Sequence, residues 1–142
     1  MNLVWLVLIG GWVSWADSRR MVVPDAAVMC GLAAVVAGCF AGTFSWAASL
    51  WGLVLATAQF GLVYLLLRGR LGLGDVKYAG FLGALLGPFA WQTALAAAAV
   101  FALLHVLIVS AMERTLFKGP VPFAPFMTAG GLTAMILFWG LG

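Results

Sequence analysis

Two carboxylic acids stand out in a chain that otherwise avoids charge. Asp17 closes one uncharged apolar run, and Asp75 follows the small-residue stretch Gly72-Leu73-Gly74 just before another. A carboxylate beside hydrocarbon costs on the order of 2.5–3.5 kcal/mol even on the lenient insertion scale, so acids in such places need a reason. If the two meet across a helix interface, both cannot easily ionise. One keeps its proton and the pair titrates as a unit. That state suits amide hydrolysis: the ionised acid takes a proton from water while the protonated one hydrogen-bonds the scissile carbonyl. Gly72 and Gly74 allow a bend ahead of Asp75 and close approach of a substrate backbone. On spacing alone, each aspartate also fits a plainer role as a helix cap or a charge flanking a span.

The composition says what must hold these acids. Of 142 residues, 65% are hydrophobic and 8% charged, and the mean hydropathy is +1.16. A water-soluble domain carries about 25% charged residues. This chain cannot cover a surface in water, so one integral-membrane domain over 1–142 is expected. The net charge of +3 rests on seven basic residues with no long run. That fits membrane-flanking positive charge and excludes a nucleic-acid partner.

The charges fall in three clusters: Asp17, Arg19, Arg20 and Asp25; then Arg68, Arg70, Asp75 and Lys77; then Glu113, Arg114 and Lys118. Uncharged runs cover 1–16, 26–67, 78–112 and 119–142. A helix crosses the hydrocarbon in about 20 residues. The outer runs therefore fit one crossing each and the middle runs two each, giving an all-α bundle of six transmembrane helices. All three charged clusters then share one face, which the positive-inside rule makes cytoplasmic, with both termini on the outer side. The outer turns, Gly42-Thr43-Phe44-Ser45 and Gly87-Pro88, are uncharged as this requires. Trp5, Trp46, Trp91 and Trp139 are expected to ring the outer interface. The first run and the stretch between Lys77 and Pro88 are short for a crossing. The first lacks the basic start of a signal peptide and is read as a span. Gly38 and Gly42 form a GxxxG, and Gly80, Gly83 and Gly87 line the fourth span, where small residues let helix backbones approach.

Three motifs in order resemble one family. Gly72-Leu73-Gly74-Asp75-Val76-Lys77, leading into Gly80, Gly83 and Gly87, resembles the GxGD signature of type IV prepilin peptidases. The stretch from Asp17 through Arg19, Arg20, Pro24 and Asp25 resembles that family's first aspartate motif. Pro120-Val121-Pro122-Phe123-Ala124-Pro125-Phe126 resembles the Pro-Phe-Gly-Pro-like approach to its last helix, with Ala124 where glycine is common. The resemblance implies an intramembrane aspartyl endopeptidase of the cytoplasmic (inner) membrane, with its site facing the cytoplasm. Such an enzyme removes the short basic leader from pilin-like or preflagellin-like precursors in type IV pilus and protein secretion systems. It implies Asp17 and Asp75 as the catalytic pair, with Gly72, Gly74, Lys77, Pro24, Pro122, Phe123 and Pro125 shaping the site or touching substrate. It implies no metal and no organic cofactor. The larger bacterial members carry a cytoplasmic insert with paired CxxC motifs, associated with methylation. Here Cys30 and Cys39 make no CxxC, so a short, peptidase-only form is expected. The partners implied are the precursor helix and membrane lipid, and a homodimer is compatible with the sequence.

Other polar residues carry weaker signals. His105, the single histidine, is read as a packed, hydrogen-bonded core residue ahead of a proton relay. One histidine excludes an HExxH metalloprotease. Gln59 is read as bonding a neighbouring helix. Lys77 and Arg70 flank the aspartate, either as substrate contacts or as cytoplasmic anchors, and Asp25 and Glu113 are acids available to a basic leader. Two other classes stay open: a small transporter or proton-conducting subunit, and a scaffold that binds pilin-like helices without cutting. A transporter predicts acids near mid-membrane and inverted repeats; here both acids lie at one edge and no repeat is visible.

Overall fold

The computed structural model describes residues 2–68, 71–114 and 122–140. All regular structure there is helical: α1 (Asn2–Arg20), α2 (Asp25–Phe40), α3 (Trp46–Leu66), α4 (Leu73–Leu86), α5 (Pro88–Glu113) and α6 (Ala124–Met135), the last extended by a π-helical turn, Ile136–Gly140. A chain this apolar satisfies its own backbone in helices, since lipid offers no hydrogen-bond partner. Two helices, α3 with 21 residues and α5 with 26, are long and apolar enough to cross a membrane. The helices α2, α4 and α6 are shorter, at 16, 14 and 12 residues. Leu8, Trp51, Leu65, Leu103 and Ile108 all point outward from the bundle. Water would penalise so continuous an apolar surface, and a membrane would not.

The bundle is organised around α4. Every residue from Tyr78 to Leu86 is buried, so protein rather than lipid surrounds this short helix. On one side it meets α3 so closely that neither Gly52 nor Gly83 has room for a Cβ against the other's backbone. The same device joins α5 and α6, where Gly130 lies on the Ala94 carbonyl. Small residues replace side-chain interdigitation with backbone contact. The expected GxxxG at Gly38 and Gly42 works otherwise: Gly38 makes room for the ring of Phe44 in the α2–α3 turn, and Gly42 takes φ +74 with open space around it.

The uncharged turns are short. Ser45 caps α3, its hydroxyl accepting the Ala48 N–H at 3.5 Å. Gly87 alone joins α4 to α5 at φ +80. Pro88 then opens α5, where a missing N–H costs nothing. Trp91 departs from expectation. It is 1% exposed, and its Nε1 donates to Gln59 Oε1 at 2.7 Å. A buried indole needs an acceptor, so Trp91 belongs to the core while Trp46 and Trp139 remain outside. Gln59 bonds a neighbouring helix, as expected. Both cysteines are free, Cys30 exposed and Cys39 buried.

Candidate active site

Asp17 sits in the last turn of α1 and is 5% exposed. One partner comes from far along the chain: the Ala124 N–H donates to Asp17 Oδ2 at 3.2 Å. The reason is local to α6. The first N–H groups of a helix have no intrahelical acceptor, and Pro125 in that turn has none to offer. Ala124 therefore aims its N–H outward, and the positive end of the helix faces the carboxylate.

Asp75 lies in the first turn of α4, whose N-cap is Gly72. Its Oδ1 is buried and accepts no hydrogen bond among the described residues. The two glycines before it differ in purpose. A Cβ on Gly74 would lie 2.7 Å from Val23 Cβ, so this glycine lets α4 press against the segment leaving α1. A Cβ on Gly72 would only touch Asp75 Oδ2, at 3.6 Å.

Asp17 and Asp75 line one cavity of about 250 Å³, together with Met21, Val22, Val23, Asp25, Gly72 and Gly74. Both acids lie outside the uncharged runs read as spans. Burial pushes the Asp75 carboxyl up to about 6, and the neighbouring Asp17 charge pushes it the same way. Burial also raises Asp17, opposed by the Ala124 N–H. One acid therefore has a donor on its carboxylate, and the other has a buried oxygen with no donor among the described residues.

The other predicted site residues separate. Lys77 turns from the aspartates to bond Asp25 Oδ1 at 2.9 Å, with side chains 52% and 69% exposed. Pro24 precedes α2 and its carbonyl accepts the N–H groups of Ala27 and Val28. Phe123 packs on Phe60 and Phe126 and lines a different cavity with Gln59, Leu71 and Leu95. Pro122 is half-buried beside it. Arg70, Lys118, Pro120 and Val121 lie outside the described residues. His105 is not in the core: it is exposed, its ring 5.4 Å from that of Phe126. A second, apolar cavity of about 400 Å³ adjoins the first at Asp25 and is walled by Val28, Met29, Leu32, Leu53 and Thr57. The Ala124 N–H escaped sequence reasoning because a backbone donor has no residue type; Pro125 was its one signal.

The family model of the type IV leader peptidases matches residues 3–107. The chain belongs to the type IV leader peptidase family. Both aspartates and both glycines of the cavity fall within the family match, while Pro122, Phe123 and Pro125 fall beyond it. Two curated relatives, each named prepilin leader peptidase/N-methyltransferase, come from Burkholderia pseudomallei strains 1026b and K96243. Each is 38% identical over 112 residues, 77% of this chain and 32% of the relative. The chain thus spans about a third of the length of the curated relatives it matches. No solved structure gives a significant match.

Proposed function

We propose that this member of the leader peptidase family is an intramembrane aspartyl endopeptidase that removes the short basic leader from prepilin-like or preflagellin-like precursors. The observation that carries the reading is the pair of unlike carboxyls in one cavity. Asp17, under the Ala124 N–H and the α6 N-terminus, is the base; Asp75, whose buried Oδ1 meets no donor among the described residues, is the acid. Water attacks the scissile carbonyl carbon and gives its proton to Asp17, while Asp75 protonates the carbonyl oxygen. The tetrahedral adduct collapses, Asp17 returns its proton to the leaving nitrogen, and the C–N bond breaks. One carboxyl oxygen re-forms the carbonyl and Asp75 recovers its proton. The two acids supply both proton transfers, so the scheme needs no metal or organic cofactor.

The wider arrangement belongs to the same proposal. The six helices each cross or enter the inner membrane, the charged connections face the cytoplasm and both termini lie outside. Contacts from Asp17 to Ala124 and from Asp25 to Lys77 support this by gathering the charged connections at one end. The precursor's apolar helix would lie along the cavity between α2 and α3, its basic leader beside Asp25.

A cleavage assay tests the reading. Purified protein is mixed with a pilin-like precursor, alongside Asp17→Asn and Asp75→Asn. Cutting after the leader by wild type, with both variants binding but silent, is the expected result. Cutting by both variants would sink the dyad. Binding of native precursors without cutting by wild type would make the chain a scaffold.

A further inference from the structure

Three hydroxyl groups meet inside an apolar bundle one helical turn from the aspartates. Thr128 Oγ1 lies 2.7 Å from the Tyr78 hydroxyl, 2.8 Å from Ser14 Oγ and 3.0 Å from the Ala124 carbonyl. The Tyr78 side chain is fully buried and Thr128 is 9% exposed. The proton assignments follow from counting. A threonine hydroxyl has one proton and two lone pairs. Its proton goes to a backbone carbonyl, Ala124 at 3.0 Å rather than Gly10 at 3.5 Å. Ser14 and Tyr78 must then both donate to Thr128, which uses its whole capacity.

The register gives this junction its meaning. Ser14 is three residues before Asp17 on α1, and Tyr78 is three residues after Asp75 on α4. At that spacing on a helix each lies on the same face as its aspartate. Ala124, whose N–H holds Asp17, gives its carbonyl to the same threonine. One hydroxyl therefore ties together the three turns that carry the base, the acid and the donor on the base. Gly10 is what admits it: a Cβ there would lie 2.6 Å from Thr128 Cγ2 and 3.1 Å from the Tyr78 oxygen.

We propose that Thr128 is a positioning residue for the aspartate pair, setting the separation of Asp17 and Asp75 through Ser14, Tyr78 and Ala124. The proposal rests on the peptidase reading for its kinetic consequence and on geometry alone for its structural one. Thr128→Val keeps the shape but removes the hydroxyl, taking the acceptor from the buried Tyr78 hydroxyl and from the half-buried Ser14. Thr128→Ser keeps the junction.

The test compares Thr128→Val, Thr128→Ser and Tyr78→Phe with Gln59→Leu, which breaks the Trp91 bond between α3 and α5 instead. Cleavage of a precursor is followed against pH. The carboxyl titration of the Asp17/Asp75 pair is followed separately by isotope-edited infrared spectroscopy, with Asp25, the third acid of the cavity, removed as Asp25→Asn in every sample. Thr128→Val should lower kcat on the order of 10–100-fold, the effect of ångström-scale misplacement, with KM little changed. It should move both the pH profile and the carboxyl titration. Thr128→Ser should return kcat to within about threefold, since it restores the same donor and acceptors. Gln59→Leu should lower thermal stability and leave the titration alone. If Thr128→Val is no less stable than Gln59→Leu yet keeps the wild-type kcat and titration, the positioning role is overturned. Should Thr128→Val not fold, Tyr78→Phe decides, and an unmoved titration there overturns it too. If wild type cuts nothing, the peptidase reading falls and the titration still decides the positioning role.

Discussion

The N–H of Ala124 reaches Oδ2 of Asp17 at 3.2 Å, joining the start of α6 to the end of α1 across 107 positions of sequence. This contact makes the two aspartates unequal, because among the described residues no donor reaches the buried Oδ1 of Asp75.

That inequality has a cost in stability. Asp75 rises from an ordinary 3.8 to about 6 on folding. A raised value favours folding while the acid is protonated, and that contribution is lost as pH rises through about 6. At pH 7.5 the ionised acid therefore works against the fold. Asp75→Asn should be more stable than wild type by about 1–2 kcal/mol after allowance for solvent screening. Thermal melts in detergent between pH 3.5 and 7.5 would show the gap closing below pH 4. A gap independent of pH would contradict this.

The two glycines ahead of Asp75 should respond differently. Gly74→Ala drives a Cβ into Val23 Cβ, which cannot rotate away, so α4 must shift and carry Asp75 with it. A kcat loss on the order of 100-fold is expected from such a displacement. Gly72→Ala meets only ordinary contact and should lose far less. Val23→Gly in the Gly74→Ala background should recover activity, because the clash lies at Cβ itself. Equal losses for the two alanine variants would reject the distinction.

Lys77 pairs with Asp25 on an exposed edge rather than with Asp17 or Asp75. Lys77→Met should therefore leave the pH–rate profile in place and change stability by no more than about 1 kcal/mol. A shift of the profile would mean that Lys77 acts on the aspartates after all.

The apolar cavity between α2 and α3 makes a placement test available. A photo-crosslinking residue at Met29, on its wall, should capture the apolar helix of a precursor held uncut by Asp75→Asn. The same residue at Leu104, which is exposed on α5, should capture lipid only. Equal capture at both positions would remove the cavity as the substrate's seat.

Much of this protein is readable from composition. Long uncharged runs must be helical because hydrocarbon leaves backbone groups no other partner, and charges must gather at the ends of those runs. Acids so placed single themselves out as candidates, and Gly72-Leu73-Gly74-Asp75 carries the resemblance to the family. What the runs conceal is orientation. These helices are apolar on every face, so no periodicity separates lipid-facing from core-facing residues. Trp91 therefore passed for an interface residue and His105 for a core one. Tertiary packing alone decided that α4 is enclosed, that Asp17 and Asp75 share a cavity, and that Lys77 turns to Asp25. It also brought a backbone N–H from α6 onto Asp17. Each of these depends on how close two helices come, which Gly52, Gly83 and Gly74 permit but only the assembled bundle specifies.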